Sequence, residues 1–243
     1  MLTDATMPYE NDPTHLLIWL DRKIGDHSRY QHLKKSFSTI ADPTNETPVE
    51  LRDADYDDVL RAEGPLPINF EGVQFLLAVF RTVDPCIECF ERNQNRRIYF
   101  IVSGVLGEEI VPILLQRFPN IFINRITGKT YHSIYIYCHD IKLQMNWAIN
   151  YTDYIQIFDF DADVLSRLVR DIADSFTEEG ERLFNENPRK NAAAKHRLMC
   201  AHILYQRYTK MESVSLKTEL DRVNDLLDQI EEDRASSFSN AMM

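Results

Sequence analysis

Short apolar runs alternate with helical spacings along the first two-thirds of the chain. The runs cover residues 15–21, 75–80, 98–102, 134–138 and 154–158. Each is rich in β-branched and aromatic residues, and none alternates between apolar and polar positions. Strands buried on both faces of a parallel sheet have this pattern. Helical spacing fills the gaps. Tyr30, Leu33, Phe37 and Ile40 recur at three and four over 28–40. Asp84-Pro85 offers an N-cap and a first-turn proline to a short helix through Ile87 and Phe90. Ile110, Ile113, Leu114 and Phe118 share one face over 108–118, and Val164, Leu165, Leu168, Val169 and Ile172 share one over 161–176. The alternation predicts a three-layer α/β domain over 13–176. Its sheet is expected to be five-stranded, mostly parallel and doubly wound, in the flavodoxin- or receiver-like order 2-1-3-4-5.

Residues 1–12 read as a flexible start. Two stretches interrupt the alternation. Residues 42–63 hold eight acids and two bases, which predicts a solvated acidic insert with one helical turn near Tyr56 to Leu60. Residues 122–132 read as a surface extension. From 177 onward only helical patterns remain, giving a helical C-terminal extension over 177–243. Residues 178–186 read as one helix, Pro188 breaks it, and a long helix spans 192–211. Leu216, Leu220, Val223, Leu227 and Ile230 then recur at 4-3-4-3, an a/d seam of about two heptads. The seam suits either packing on its own domain or a dimer interface. Residues 235–243 read as a frayed tail.

Composition narrows the function classes. Hydrophobic residues make up 44% of 243, enough for a sizeable core, and Gly (7) and Pro (10) are too few for a collagen-like or disordered chain. The net charge is -11, over half of it in the acidic insert, which argues against a nucleic-acid partner. The apolar runs fall far short of the ~20 residues of a membrane span. The acidic start lacks the order of a signal peptide. Four cysteines do not make a disulfide framework, so reduced thiols and a cytoplasmic location are expected.

In open α/β sheets, ligands bind outside the carboxyl ends of the strands. Those ends carry Asp21, Arg81 and Thr82, Ser103 and Gly104, Cys138 with His139 and Asp140, and Asp159. A phosphorelay receiver needs a phosphorylatable Asp where Ser103 stands. The Ser103-Gly104-Val105-Leu106-Gly107 turn could cradle an anion, but Glu108-Glu109 place negative charge at the same helix start. Thr127-Gly128-Lys129-Thr130 echoes the end of a P-loop whose first glycine position holds Ile123. Cys138 ends a strand as the nucleophile does in caspase-like folds. Its neighbour His139 points to the opposite face of a strand, and His132 would serve as base only if its loop folds back. Cys86-Ile87-Glu88-Cys89 has redox-motif spacing without a second pair for zinc. His27, His32, His196 and His202 form no metal-binding pattern.

Four strings together carry a family resemblance. They are Leu17-Ile18-Trp19-Leu20-Asp21; Arg81-Thr82-Val83-Asp84-Pro85 with Cys89; Ile101-Val102-Ser103-Gly104-Val105-Leu106-Gly107-Glu108-Glu109-Ile110-Val111-Pro112; and Ile134-Tyr135-Ile136-Tyr137-Cys138. They resemble the N-terminal Rossmann-like α/β domain of invertebrate multidomain proteins. Those proteins often also carry an arginine mono-ADP-ribosyltransferase domain or tetratricopeptide repeats. The resemblance covers residues 15 to 176 and implies a signalling or interaction module. Both interrupting stretches are longer than the family usually has. The helical sequence after 177 leaves no room for a transferase core, so transferase activity is not implied.

The expected function is thus a non-enzymatic signalling or protein-interaction module with a protein partner or a homodimer, and with no cofactor, metal, nucleic acid or membrane. The ligand-binding candidates are Asp21, Arg81, Ser103, Gly104, Gly107 and Asp140. The catalytic candidates are Cys138, Ser103 and His139. The alternative is a small-ligand or nucleotide-derivative sensor, or a divergent caspase-like hydrolase, using the strand-end cleft.

Overall fold

The computed structural model describes residues 14–26, 28–39, 49–62, 64–124, 127–186 and 190–241. The expected flexible start at 1–12, residues 42–48 and 63 of the acidic insert, His27, Ile40, residues 125–126 of the extension, Pro188 and the last two residues of the tail lie outside the described residues. The strands are β1 (His15–Leu20), β2 (Phe37–Thr39), β3 (Val49–Glu50), β4 (Leu66–Phe70), β5 (Val73–Phe80), β6 (Arg97–Ser103), β7 (Ile134–Tyr137) and β8 (Ile155–Phe158). The helices are α1 (Gln31–Lys35), α2 (Asp53–Arg61), α3 (Val83–Arg92), α4 (Gly104–Arg117), α5 (Ile141–Ala148), α6 (Asp161–Asn185), α7 (Asn191–Glu212) and α8 (Lys217–Ala241).

The protein is an α/β protein; its described residues form one eight-stranded sheet, ordered β3-β2-β4-β5-β1-β6-β7-β8. The five predicted strands are β1, β5, β6, β7 and β8; all their pairings are parallel, in the predicted spatial order. The strand count of five needs correction. β4, β2 and β3 extend the β5 side by antiparallel pairing. They follow from a tight hairpin in which Glu71 (φ 49) and Gly72 (φ 91) turn the chain between β4 and β5. Two positive-φ residues match the right-handed twist of the flanking strands.

All six residues of β1 are buried. Its alternate side chains enter two separate cores. Leu17 and Trp19 join Phe75, Leu77, Val79, Tyr99 and Tyr135 beneath α6, α7 and α8. Leu16, Ile18 and Leu20 join Ile98, Phe100 and Val102 beneath α3 and α4. This split by residue parity is how a strand covered on both faces divides its side chains.

Several local expectations change. The helix expected over 28–40 shrinks to α1, because Tyr30 takes left-handed backbone (φ 58) and Phe37 pairs into the sheet opposite Phe70. The described part of the acidic insert is ordered. Tyr56 and Val59 of α2 sit in the core, and the Asp55 carboxylate accepts the Arg52 backbone N–H at 2.6 Å. The expected turn at 103–107 is the first turn of α4. α5, which was not expected, is capped by Asp140, whose Oδ1 accepts the Lys142 N–H at 2.9 Å. The extension at 122–132 closes through an antiparallel bridge between Ile123 and Thr130. α6 passes straight through the expected boundary at 176, so the C-terminal helices share one core with the sheet. The seam on α8 faces that core too. Leu216, Val223 and Ile230 are buried, as is Leu226, which the heptad pattern missed, while Leu220 and Leu227 pack partly buried against the same cluster. The a/d positions of α8 thus pack against the chain's own core. Among the described residues no helix is long and apolar enough to cross a membrane.

α6 and α7 approach closely at Gly180. A β-carbon there would lie 2.7 Å from Cγ of the fully buried Leu198. Gly180→Ala is expected to lower stability by about 1–2 kcal/mol, overpacking outweighing the helical preference for alanine. Thermal unfolding by circular dichroism should show a melting temperature several degrees lower. An unchanged or higher value would mean the helices have room to spare.

His15, at the start of β1, is buried among Phe75, Tyr99 and Phe176. Burial foremost, then the charges of Arg197 and Arg97, hold its pKa well below the ordinary value. The unfolded chain takes up a proton near pH 6.5 that the folded chain refuses, so stability falls as pH drops below about 6.5. Urea midpoints between pH 7 and pH 5 should fall more steeply for the wild type than for His15→Leu. Equal slopes would assign the acid limb to other groups.

Candidate functional site

A cleft of about 420 Å³ opens at the carboxyl ends of β1, β6 and β7, between the starts of α4 and α5. Asp21, Ser103, Gly104, Cys138, His139 and Asp140 line it together, as do Arg22, Lys23 and Arg29. Two predicted residues lie elsewhere. Arg81 faces Asp57 of α2 at 3.4 Å. Gly107 lies one turn into α4, where a β-carbon would meet Ile136 Cδ1 at 3.1 Å and Trp147 at 3.3 Å. Gly104 serves a closer approach still. A β-carbon on it would lie 2.7 Å from Gln144 Cδ and 3.1 Å from the Cys138 β-carbon. That glycine lets the first turn of α4 rest against β7 and α5.

The acids of the cleft are committed to structure. Asp21 is 4% exposed. Its Oδ1 accepts the Lys23 backbone N–H at 2.5 Å, and its Oδ2 accepts the Tyr30 hydroxyl in a short bond. Burial first, and then the Asp21 charge, push the Tyr30 phenol far above its usual range. The Tyr30 ring packs edge-on against Trp19 (5.2 Å) and Tyr137 (5.0 Å). The chain tolerates left-handed backbone at this bulky residue because the ring and hydroxyl are both held. α1 is held in turn by Asp161. Its Oδ2 accepts the His32 N–H at 2.9 Å and the Leu33 N–H at 3.4 Å, and its Oδ1 lies 2.9 Å from His32 Nδ1. Asp140 is the α5 cap described above.

Cys138 is 8% exposed, and its backbone N–H donates to Phe158 O at 2.9 Å. Burial, then the charges of Asp159 and Asp140, raise its thiol pKa. A nucleophilic cysteine needs the opposite environment. His139 is exposed, and its Nε2 lies 3.4 Å from an Arg29 guanidinium nitrogen. Ser103 stands at the N-cap position of α4, where its side chain makes no capping bond. No base among the described residues is hydrogen-bonded to Ser103 or Cys138, so the three catalytic candidates meet without forming a nucleophile–base pair. Cys86 and Cys89 are buried on α3, and burial raises the Cys89 thiol to about 11. Among the described residues no cluster of His, Cys, Asp and Glu is arranged to hold a metal ion.

The sequence missed the basic wall. Arg22 and Lys23 directly follow the strand-end Asp21, and Arg29 lies in the next turn, so the signal was a local charge run overshadowed by the acidic total. It also missed the apolar rim. Val105 on α4 is 67% exposed and Leu143 on α5 is 70% exposed, and both line the cleft. Leu143 went unseen because α5 did. Compared with protein-family models, curated proteins and solved structures, the chain matches none.

The raised thiol pKa and burial predict slow alkylation of Cys138. At pH 7.5 iodoacetamide should label it at least about tenfold more slowly in the folded chain than in urea, followed by peptide mass spectrometry. Labelling at the same rate in both states would show that the thiol is neither shielded nor held protonated.

Proposed function

We propose that the chain is a non-enzymatic protein-interaction or signalling module that docks a partner over the strand-end cleft. The observation that carries this reading is the apolar rim. Val105 and Leu143 flank the cleft from two helices, and Phe160, beyond β8, is 49% exposed at the same end of the sheet. Large apolar side chains left in water around a concave surface favour association. Three basic residues, Arg22, Lys23 and Arg29, line the same cleft, Arg29 also facing Asp26 at 3.6 Å. The partner is therefore a protein segment that seats an apolar side chain between α4 and α5 and presents carboxylates to the first loop. An acidic chain that keeps a basic wall at one place would attract such a segment and repel its own acidic surface. The commitment of Asp21, Asp140 and Cys138 to structural contacts favours a binding role over a catalytic one. The resemblance to the N-terminal domain of invertebrate multidomain proteins supports the same role.

A sensor of small ligands is the second reading. It is favoured by the cleft volume, which falls within the roughly 300–1,000 Å³ of small-molecule sites.

The test is a pair of measurements on the full chain. A partner identified by photo-crosslinking from a probe at position 143 should bind the purified protein. Its Kd should rise at least about tenfold in Leu143→Glu, and also at high salt, with the melting temperature unchanged. Unaltered affinity in Leu143→Glu would overturn docking at the cleft. A melting shift of several degrees with a nucleotide, lost in Arg29→Ala, would establish the sensor instead.

A further inference from the structure

A second cavity, of about 500 Å³, lies at the opposite pole of the sheet, under the amino ends of β1 and β6. Its walls come from the starts of those strands, from the segment after α4, from Tyr131 and from α6. Ligand sites in open α/β sheets gather at the carboxyl ends, so nothing in the general architecture requires a site here. The cavity is distinguished by one cation. Arg97 is half-buried, and its guanidinium carbon sits 3.1 Å from the centroid of the Tyr131 ring and 5.2 Å from that of Tyr99. Its Nε and Nη1 are shielded from water and make no hydrogen bond of good geometry among the described residues, the Tyr99 hydroxyl being the polar group beside the guanidinium. Nor does any carboxylate among the described residues form an ion pair with it.

The neighbouring charges are accounted for differently. Glu179 pairs with Arg197 at 3.1 Å and approaches His15 Nε2 at 3.8 Å. Arg182 is bonded to Glu186, and Arg96 Nε donates to Asn93 Oδ1 at 3.2 Å. Glu178 is exposed on the α6 side, where water screens it. Arg97 thus stands out as a partly desolvated guanidinium, fixed by an aromatic stack and facing a cavity in which no carboxylate among the described residues pairs with it. Leaving such a charge unpaired is costly, and a guanidinium's natural complement is a carboxylate or phosphate.

We propose that this cavity binds a small organic anion whose carboxylate or phosphate group pairs with Arg97. The volume exceeds what a bare oxyanion needs and falls within the roughly 300–1,000 Å³ of small-molecule sites. The body of the ligand lies against Ile121, Ile123 and the free edge of Tyr131. The stack orients the guanidinium plane in advance, so little side-chain freedom is lost on binding. This site is independent of the strand-end cleft and of whatever docks there.

The probes are phenyl phosphate and benzoate, with inorganic phosphate and benzylammonium as controls, added to the full chain at constant ionic strength. At about 10 mM, one of the two aromatic anions should raise the melting temperature by roughly 3 °C, with saturable binding by calorimetry. Which of the two binds assigns the head group. The Kd should rise at least about tenfold in Arg97→Met. If that variant does not fold, Arg97→Lys, which keeps the charge and loses the planar fork, should weaken binding by a similar factor. Tyr131→Leu should weaken it through the lost stack. Absence of saturable binding by either aromatic anion overturns the proposal. So does a response that inorganic phosphate reproduces, or one that persists unchanged in the Arg97 variants.

Discussion

A parallel strand at the centre of a sheet cannot leave either face in water, and every residue from His15 to Leu20 is buried. That requirement organises the rest of the molecule. The even-numbered side chains of β1 need one apolar layer, and Leu17 and Trp19 need another. The chain meets the first need locally, with α3 and α4 following β5 and β6. It meets the second partly with α1 and α2 and otherwise from far away, with α6, α7 and α8. The two cores are unequal in reach. One is closed by helices that connect successive strands, and the other is completed only by the last third of the sequence. The aromatic weight falls on the second face, where Trp19, Phe37, Phe70, Phe75, Tyr99 and Tyr135 lie fully buried. Burial of an aromatic ring is among the larger single stabilising contributions a side chain makes.

The same constraint shapes the carboxyl-end cleft. α1 is only five residues long and makes no capping bond with its own N-cap side chain. It stays in place because two carboxylates from distant points hold it. Asp161, at the head of α6, takes the N–H groups of His32 and Leu33. Asp21, at the end of β1, takes the Tyr30 hydroxyl. Acids at a helix start answer both the unsatisfied N–H groups and the dipole. Polar side chains at strand ends are thus spent on architecture first. What the cleft offers to solvent is its basic loop and its apolar rim.

Much of this was legible in the residues, and the gaps have physical causes. The five apolar runs announced the parallel strands because both faces are buried, which suppresses alternation. Their spatial order also followed from the strand–helix alternation. β2, β3 and β4 were hidden because their pairing is set by tertiary contact. Phe37 reads as the last turn of a helix until it pairs opposite Phe70. The Glu71-Gly72 hairpin carried a usable signal in its single glycine. α2 was visible only as a single turn near Tyr56 to Leu60, since the apolar contribution of Tyr56 and Val59 is small beside so many carboxylates. α5 was missed because Leu143 and Met145 break its amphipathic pattern by facing water. At the site, the strand-end residues were foreseeable from position alone. The bond between Asp21 and Tyr30 was not, because it depends on a left-handed backbone that no local rule assigns to tyrosine.

The remote closure of the second core bears on the order in which the chain is made. By the time β8 has been synthesised, all five parallel strands exist, and α3 and α4 already cover one side of them. The other side still lacks Phe176, Leu198, Leu204 and Val223. A nascent chain therefore passes through a stage in which a nearly complete sheet carries one aromatic face covered only in part, by α1 and α2. Such a face is adhesive toward other chains and toward itself. Protection comes late and in sequence, α6 first and α8 last. α8 acts in effect as a closing seal, whose arrival ends the interval in which the sheet can be captured by the wrong partner.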